Sequence, residues 1–255
     1  MESMLENHKE SAPFDLDIEQ KGRYQYSDDS RFSTRIAMER YTRMILSSTD
    51  FKGKSVLDVG SGDGTSTAEL AILSKAAYVL GVEPSSKAVQ RADSVYKDEL
   101  PHLHFICGVS EMLLDKPERF DIAVYRGVIH HVADPAQELQ NALTLARKVV
   151  ILEPNGQNPL MKLVEKIVPY HRKHKERSYS MTTISRWISF HGGIVVMRRF
   201  FGLVPLFSPR IIACIGRWME PFVERIPVVS RFCCGQYIVV ASRMENDNKS
   251  DVRKT

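Results

Sequence analysis

The 255 residues include only four cysteines. Cys107, Cys214, Cys233 and Cys234 show no metal-ligand spacing, and a bond between the adjacent Cys233 and Cys234 would be strained. Reduced thiols in a cytosolic protein are the expectation. Long apolar runs are also missing. The best stretch, GLVPLFSPRIIACIG, is broken by Pro205, Pro209 and Arg210 and falls short of the roughly 18 residues a membrane span needs. The first residues, MESMLENHKESAPFDLD, are too acidic and polar for a secretory signal or an Arg-rich transit peptide. There is no internal repeat and no low-complexity segment. No His/Cys array or Asp pair stands at ligand spacing, so no metal is expected.

The composition is that of a folded soluble chain, with 43% hydrophobic and 26% charged residues. The length suits one large domain or a domain with an added lobe. The net charge of +4 hides an asymmetry. Residues 157–243 hold 14 Lys/Arg against 4 Asp/Glu, whereas residues 1–156 hold 18 against 24. A basic third can favour anionic lipid, nucleic acid or a phosphorylated substrate, or can simply be solvated surface.

Hydrophobic pattern predicts a helix over 31–48, then short apolar strands at 54–59, 78–82, 104–107, 120–125 and 148–152. Helices over 65–74, from Ser85 or Ser86 to about 97, and from Asp134-Pro135 to about 147 alternate with them. Strands at 194–198 and 236–242 follow. This is an α/β domain: a mostly parallel seven-stranded sheet with helices on both faces. Short helices are predicted from Asn158-Pro159 to Pro169 and from a Thr182 or Thr183 cap to about Phe190. A helical insertion precedes the last strand, with Ser208 as N-cap and Pro209 first. Residues 1–22 are expected to be a loose tail and 23–243 the domain. Its cofactor-binding core spans about 50–155, its substrate or cap region about 156–235, and 244–255 is a polar tail. Ligands in such sheets sit at the C-terminal strand ends.

Chemistry concentrates at those ends. In Val56-Leu-Asp-Val-Gly-Ser-Gly-Asp-Gly-Thr65, a glycine turn between strand and helix lets backbone approach a ligand, and the helix start offers free N–H groups. Glu83 ends the second strand, 21 residues after Gly62. A carboxylate there can accept both cis hydroxyls of a ribose, so loop and acid together indicate an adenosine-type cofactor. A nicotinamide-dependent oxidoreductase is disfavoured by Asp58 and the G-x-G-x-G spacing. His130 and His131, after the fourth strand, are packing or hydrogen-bonding residues or a general base. Glu153 or Asn155, after the fifth, could orient substrate, or Asn155 could cap the loop.

D-V-G-S-G-D-G-T, G-V-E-P-S-S and F-D-I-A-V-Y-R-G-V-I-H-H-V together resemble a class I S-adenosylmethionine-dependent methyltransferase over about residues 25–200. They are most similar to the small-molecule and lipid-type group with an "lHHv" signature. The resemblance implies a Rossmann-like class I fold and S-adenosyl-L-methionine as cofactor. It places Asp58, Gly60, Ser61, Gly62 and Gly64 around the methionine and sugar, Glu83 on the ribose, and Pro84 and Ser85 beside the adenine. Gly108-Val-Ser-Glu111 stands where the family usually reads Gly-Asp-Ala-Glu. With Val109 in the Asp position, Ser110, Glu111 or backbone supplies the adenine contact. Arg126 and Gly127 pass the reactive end, and the second His, His131, commonly lines the pocket. Tyr24, Tyr26 and Phe32 precede a helix that often lids the cofactor.

The expected activity is methyl transfer to a small-molecule or lipid-like acceptor, with O-methylation preferred because paired His could serve a hydroxyl. The alternative is a non-catalytic cofactor-binding regulator or scaffold. The amphipathic helix at 208–222, with Ile211, Ile212, Ile215, Trp218, Met219 and Phe222 on one face, could pack as a substrate cap, lie in a membrane interface, or form a dimer contact. Peripheral membrane contact through it is one expectation. Nucleic acid is not favoured, since no known binding motif surrounds the arginines. The basic run His171, Arg172, Lys173, His174, Lys175 and Arg177 could hold a substrate phosphate or carboxylate, or be a solvated loop. A cytoplasmic location, at or near the membrane surface, completes the expectation.

Overall fold

A computed structural model describes residues 30–167 and 177–244, with Asp15, Ile18, Glu19, Tyr24 and Ser27; at 164–167 it describes backbone only. Tyr26 and residues 171–175 of the basic run lie outside the described residues, as does most of the polar C-terminal tail.

In chain order the elements are α1 (Phe32–Ser48), β1 (Ser55–Val59), α2 (Thr65–Ser74), β2 (Tyr78–Glu83), α3 (Ser86–Tyr96), β3 (Leu103–Cys107), β4 (Phe120–Arg126), α4 (Pro135–Leu145) and β5 (Ala146–Pro154). Then come α5 (Pro159–Ile167), α6 (Met181–Phe190), β6 (Gly193–Phe201), α7 (Arg210–Val223), α8 (Pro227–Cys233) and β7 (Gln236–Arg243). The strands form one sheet in the order β3-β2-β1-β4-β5-β7-β6. The first five are parallel, and β7 is antiparallel to both β5 and β6. The order reverses at β1, so the crevice outside the ends of β1 and β4 is the topological switch point where ligands bind.

Alternation explains the two-sided core. Val56, Val79, Ile122, Val124, Val150 and Ile238 face α1, α2 and α3. Their neighbours Leu57, Leu80, Ala123, Tyr125, Val149 and Val239 face α4 and α6. Successive strand residues point to opposite faces, so near-continuous apolar strands require helices on both sides.

Several helix starts follow from capping chemistry. Ser85 accepts from the Ala88 N–H at α3, and Asp134 accepts from the Ala136 and Gln137 N–H groups at α4, ahead of Pro135. Two expectations need correction. Ser180, not Thr182 or Thr183, caps α6 by accepting from the Thr183 N–H. At α7, Pro209 itself is the N-cap, without a side-chain bond, and Ser208 does not cap. Proline at N1 is common but not obligatory, so a Ser-Pro pair does not by itself fix the cap.

The larger correction concerns which face of α7 is covered. Its buried residues are Ala213, Gly216 and Glu220, a narrow stripe at i, i+3 and i+7. Ala213 packs with Ile36 of α1 and with Val204. The large residues stand outward: Ile211 is 75% and Trp218 72% exposed, with Ile212, Ile215, Met219 and Phe222 beside them. Of the three readings of this face, packing as a substrate cap is therefore the one not seen. No described helix is long and apolar enough to cross a membrane.

Candidate active site

A cavity of about 510 Å³ lies at the C-terminal ends of β1, β2, β4 and β5. Register puts these ends side by side: Val59 pairs with Val82 and Tyr125, and Arg126 with Leu152. Strand pairing thus gathers segments up to about a hundred residues apart in sequence on one sheet edge.

The glycine turn leaves β1 with the Gly60 and Ser61 N–H groups both donating to the Val82 carbonyl, at 2.8 and 3.2 Å. This bond pattern folds the loop back over β2 and aims its next N–H at Glu83. The Gly62 N–H donates to Glu83 Oε2 and the Ser85 N–H to Oε1, each at 3.0 Å. Burial pushes the Glu83 carboxyl up to about 7, and these two bonds oppose the shift. Gly62 has φ +57°, and a Cβ there would stand 2.9 Å from the Tyr24 ring, which covers the loop. The Tyr24 N–H and the Ser27 hydroxyl both bond Asp63, at 3.0 and 2.9 Å. Asp63 was not among the predicted site residues. Its signal was only its place inside the glycine run.

Beneath the loop, Asp58 is buried and accepts from Thr67 Oγ1 at 2.6 Å. Burial raises its pKa, while Arg126 and the Thr67 bond counter that. Arg126 crosses from the end of β4 and donates from Nη1 to Thr42 Oγ1 at 3.2 Å. Burial lowers the pKa of its guanidinium, with Asp58 and Glu69 opposing. Its Nε and Nη2, and the Ser61 hydroxyl, are buried without hydrogen-bond partners among the described residues. Buried orphan donors are costly unless a ligand completes them.

On the far wall, Glu153 Oε1 accepts from the Val128 and Ile129 N–H groups, both at 2.8 Å. Its Oε2 meets His130 Nδ1 at 2.6 Å. The two side chains are 8% and 2% exposed, and the His130 and His131 ring centroids are 4.0 Å apart. A buried carboxylate with this many donors is a fixed anchor for an imidazole. Asn155 takes the capping role. Its amide donates to the Arg231 and Cys234 carbonyls at 2.8 and 2.9 Å, away from the cavity.

Asp58, Gly60, Ser61, Gly62, Glu83, Pro84, Ser110, Glu111, Arg126, Gly127, His130 and His131 all line this one cavity. Ser85 and Gly64 do not. Ser85 is fully buried as the cap of α3, and its hydroxyl also donates to Asp15. Gly64, at φ +81°, permits close helix packing: a Cβ would lie 2.6 Å from that of Ala92. Ser110 lines the wall, but its hydroxyl donates to Glu138 at 2.7 Å, a carboxyl also bonded by the Tyr125 hydroxyl. Glu111 remains the exposed acid at that rim. Phe32 stacks under Arg210 outside the cavity. Reading the sequence missed Met38, Tyr41, Met161, Leu206 and Gln236, which also line the cavity. They come from α1, α5, a loop and the start of β7, none of which carries a motif, and only packing brings them in.

The residues fit S-adenosylmethionine. Glu83 would hold the ribose hydroxyls, the loop N–H groups would approach the sugar and methionine, and Asp58 and Arg126 would face the amino-acid end, where orphan donors wait.

A family model described as "Methyltransferase domain" matches residues 31–192. The chain belongs to that family, the class I S-adenosylmethionine-dependent methyltransferases. An S-adenosylmethionine-dependent methyltransferase from Archaeoglobus fulgidus shares the fold, at TM-score 0.58 and 19% identity over 82% of this chain and 94% of that one. Among curated relatives, the ubiquinone biosynthesis O-methyltransferase of Coxiella burnetii is 32% identical over 96 residues, 38% of this chain and 40% of that protein. The tRNA U34 carboxymethyltransferase of Ruthia magnifica is 30% identical over 180 residues, 66% of this chain and 54% of that protein. The chain spans about two fifths to a half of these relatives' lengths.

Proposed function

We propose that this protein transfers the methyl group of S-adenosylmethionine to a hydroxyl of a small, lipid-like acceptor. The single observation that carries this reading is the buried His130–Glu153 pair on the cavity wall. Bound S-adenosylmethionine supplies an electrophilic methyl carbon on a sulfonium. Displacement at that carbon needs an acceptor lone pair placed in line, so positioning does most of the work. A hydroxyl acceptor must also lose its proton. With Nδ1 held by Glu153, His130 Nε2 is the basic nitrogen that takes it, and Glu153 stabilises the resulting imidazolium. His131, stacked on His130, narrows the passage. Met38, Met161 and Leu206 give the acceptor side an apolar wall suited to a hydrocarbon body. The Coxiella relative's name carries the same O-methylation. A peripheral membrane contact through the outward face of α7 belongs to this reading, because an exposed Ile/Trp/Phe stripe beside arginines has the character of an interfacial helix.

The test is turnover of S-adenosylmethionine with phenolic and hydroxylated lipids, against His130→Ala and Glu153→Gln. Both variants are expected to bind the demethylated cofactor as the wild type does while losing turnover, with the acid limb of the pH–rate profile altered in Glu153→Gln. Full turnover in His130→Ala would remove the base assignment. Tight cofactor binding with no turnover on any acceptor would favour the non-catalytic alternative.

A further inference from the structure

A second cleft, of about 350 Å³, lies between α1, β6 and α7 and shares no lining residue with the cofactor cavity. Five arginines converge on it: Arg40, Arg43, Arg199, Arg217 and Arg225. Two carboxylates stand among them, and both are committed. Glu224 takes a two-pronged bond from Arg40 Nη2 at 2.8 and 3.0 Å, another from Arg199 at 3.1 Å, and the Gly202 N–H at 3.2 Å. Glu220 accepts the Leu203 N–H at 2.8 Å and lies 3.6 Å from Arg40 Nε. Arg43 lies 3.6 Å from Glu39, an exposed neighbour one turn back. Arg217 and Arg225 are exposed and make no ion pair among the described residues. Five arginines against Glu220, Glu224 and the neighbouring Glu39 leave an excess of two positive charges, carried by Arg217 and Arg225.

What lies beside the cleft identifies its ligand. Arg217, Pro221 and Glu224 follow one stripe of α7 at i, i+4 and i+7. Trp218 and Phe222 stand one position further round, on the exposed apolar face. Anion-binding and hydrocarbon-binding surfaces are thus adjacent on one helix, as phosphate and acyl chain are adjacent in one phospholipid. We infer that the arginine cleft binds the phosphate of an anionic phospholipid headgroup while the Trp218–Phe222 face enters the bilayer interface. This rests on the peripheral contact proposed above and adds to it a selectivity for anionic lipid. Arginine suits the task because its planar fork donates two parallel bonds to a phosphate.

The test is flotation of the full chain with phosphatidylcholine vesicles, with and without phosphatidylglycerol, at low and high salt. Two double variants accompany it: Arg217→Gln with Arg225→Gln, and Trp218→Ser with Phe222→Ser. All four positions are exposed, so the fold is expected to survive. Wild type is expected to partition on the order of tenfold or more better onto the anionic vesicles, with the preference falling as salt rises. The arginine variant is expected to lose that preference and keep the weaker neutral binding, whereas the apolar variant loses both. Equal partition of wild type onto both vesicles, or an arginine variant that keeps the preference, would overturn the headgroup site and leave the apolar contact standing. No binding to either vesicle would overturn both. Arg217- and Arg225-dependent binding of an RNA oligomer, tighter than that to anionic vesicles, would also overturn the headgroup site.

Discussion

The strand ends around the cofactor cavity and the α7–α8 region treat the same residue types in opposite ways. Around the cavity, large apolar side chains are buried, and most polar groups are held by named partners. Glu83 has two N–H donors; Glu153 has two N–H donors and an imidazole. The few exceptions, on Arg126 and Ser61, are where a ligand would complete them. Around α7, Ile, Trp and Phe stand in solvent and arginines outnumber their acids. One region is complete except at the ligand, and the other leaves an apolar face and an arginine-lined cleft open. Pre-organisation favours chemistry, and an uncovered amphipathic face favours association.

That contrast can be broken most severely at the chemistry. His130→Ala should lower kcat by about 10²–10⁴-fold, the range for loss of a general base. Calorimetric affinity for the demethylated cofactor should change little. A fall in affinity matching the fall in kcat would make the dyad part of the cofactor site.

The two regions can be compared directly by one substitution made twice. Ile151 is fully buried in β5, and Ile215 is 53% exposed on α7. Ile151→Ala should cost about 2–5 kcal/mol in denaturant unfolding, through lost transfer energy and the cavity left behind. Ile215→Ala should stay within about 0.5 kcal/mol, as exposed sites do. A comparable loss at Ile215 would mean that its face is covered in solution, and sedimentation would then report a dimer.

Glu83→Ala should weaken cofactor binding by about 2–4 kcal/mol, for two charge-assisted bonds. Unchanged affinity would remove the ribose assignment.

The subtlest test uses pH. The folded Glu83 carboxyl sits near 7, above its ordinary value of 4.5. A raised folded pKa contributes stability that is fully present below the unfolded value and lost as pH rises through 7. Relative to Glu83→Gln, the ligand-free wild type should therefore lose melting temperature between pH 5 and pH 8. Cofactor affinity should run the other way and weaken as pH falls below about 7, because the ribose hydroxyls need the ionised acceptor. The same sign for both would mean that the neutral acid is the binding form.

Much of the cofactor side was legible from residues alone. A glycine turn after an apolar strand, with an acid ending the next strand, has few other uses, and local spacing controls both. The α2 bounds, Thr65–Ser74, match the reading, because the glycine run starts the helix and Lys75 stops it in a left-handed turn. Ser85 takes the capping role that its place before α3 allows, and Gly64 lies off the cavity lining, against Ala92. A cap and a ligand contact use the same residue type, and a glycine needed for close packing resembles one needed for close approach. Spacing offers Glu153 or Asn155 as a substrate-orienting group but does not show that Glu153 meets His130, 23 residues away.

Periodicity and short-range motifs carry the fold class and an adenosine-type site at the strand ends, because they act within one strand, turn and helix, and the family resemblance adds S-adenosylmethionine. Long-range packing alone puts a carboxylate behind His130, sets Arg126 beside Asp58, and fixes which way α7 faces. The helical pattern shows that α7 has an apolar side. It does not show that Ala213, Gly216 and Glu220 form the side that docks. Long-range packing settled that: the small residues allow close contact with Ile36 and Val204, while Glu220 accepts the Leu203 N–H. The large apolar residues are left facing out.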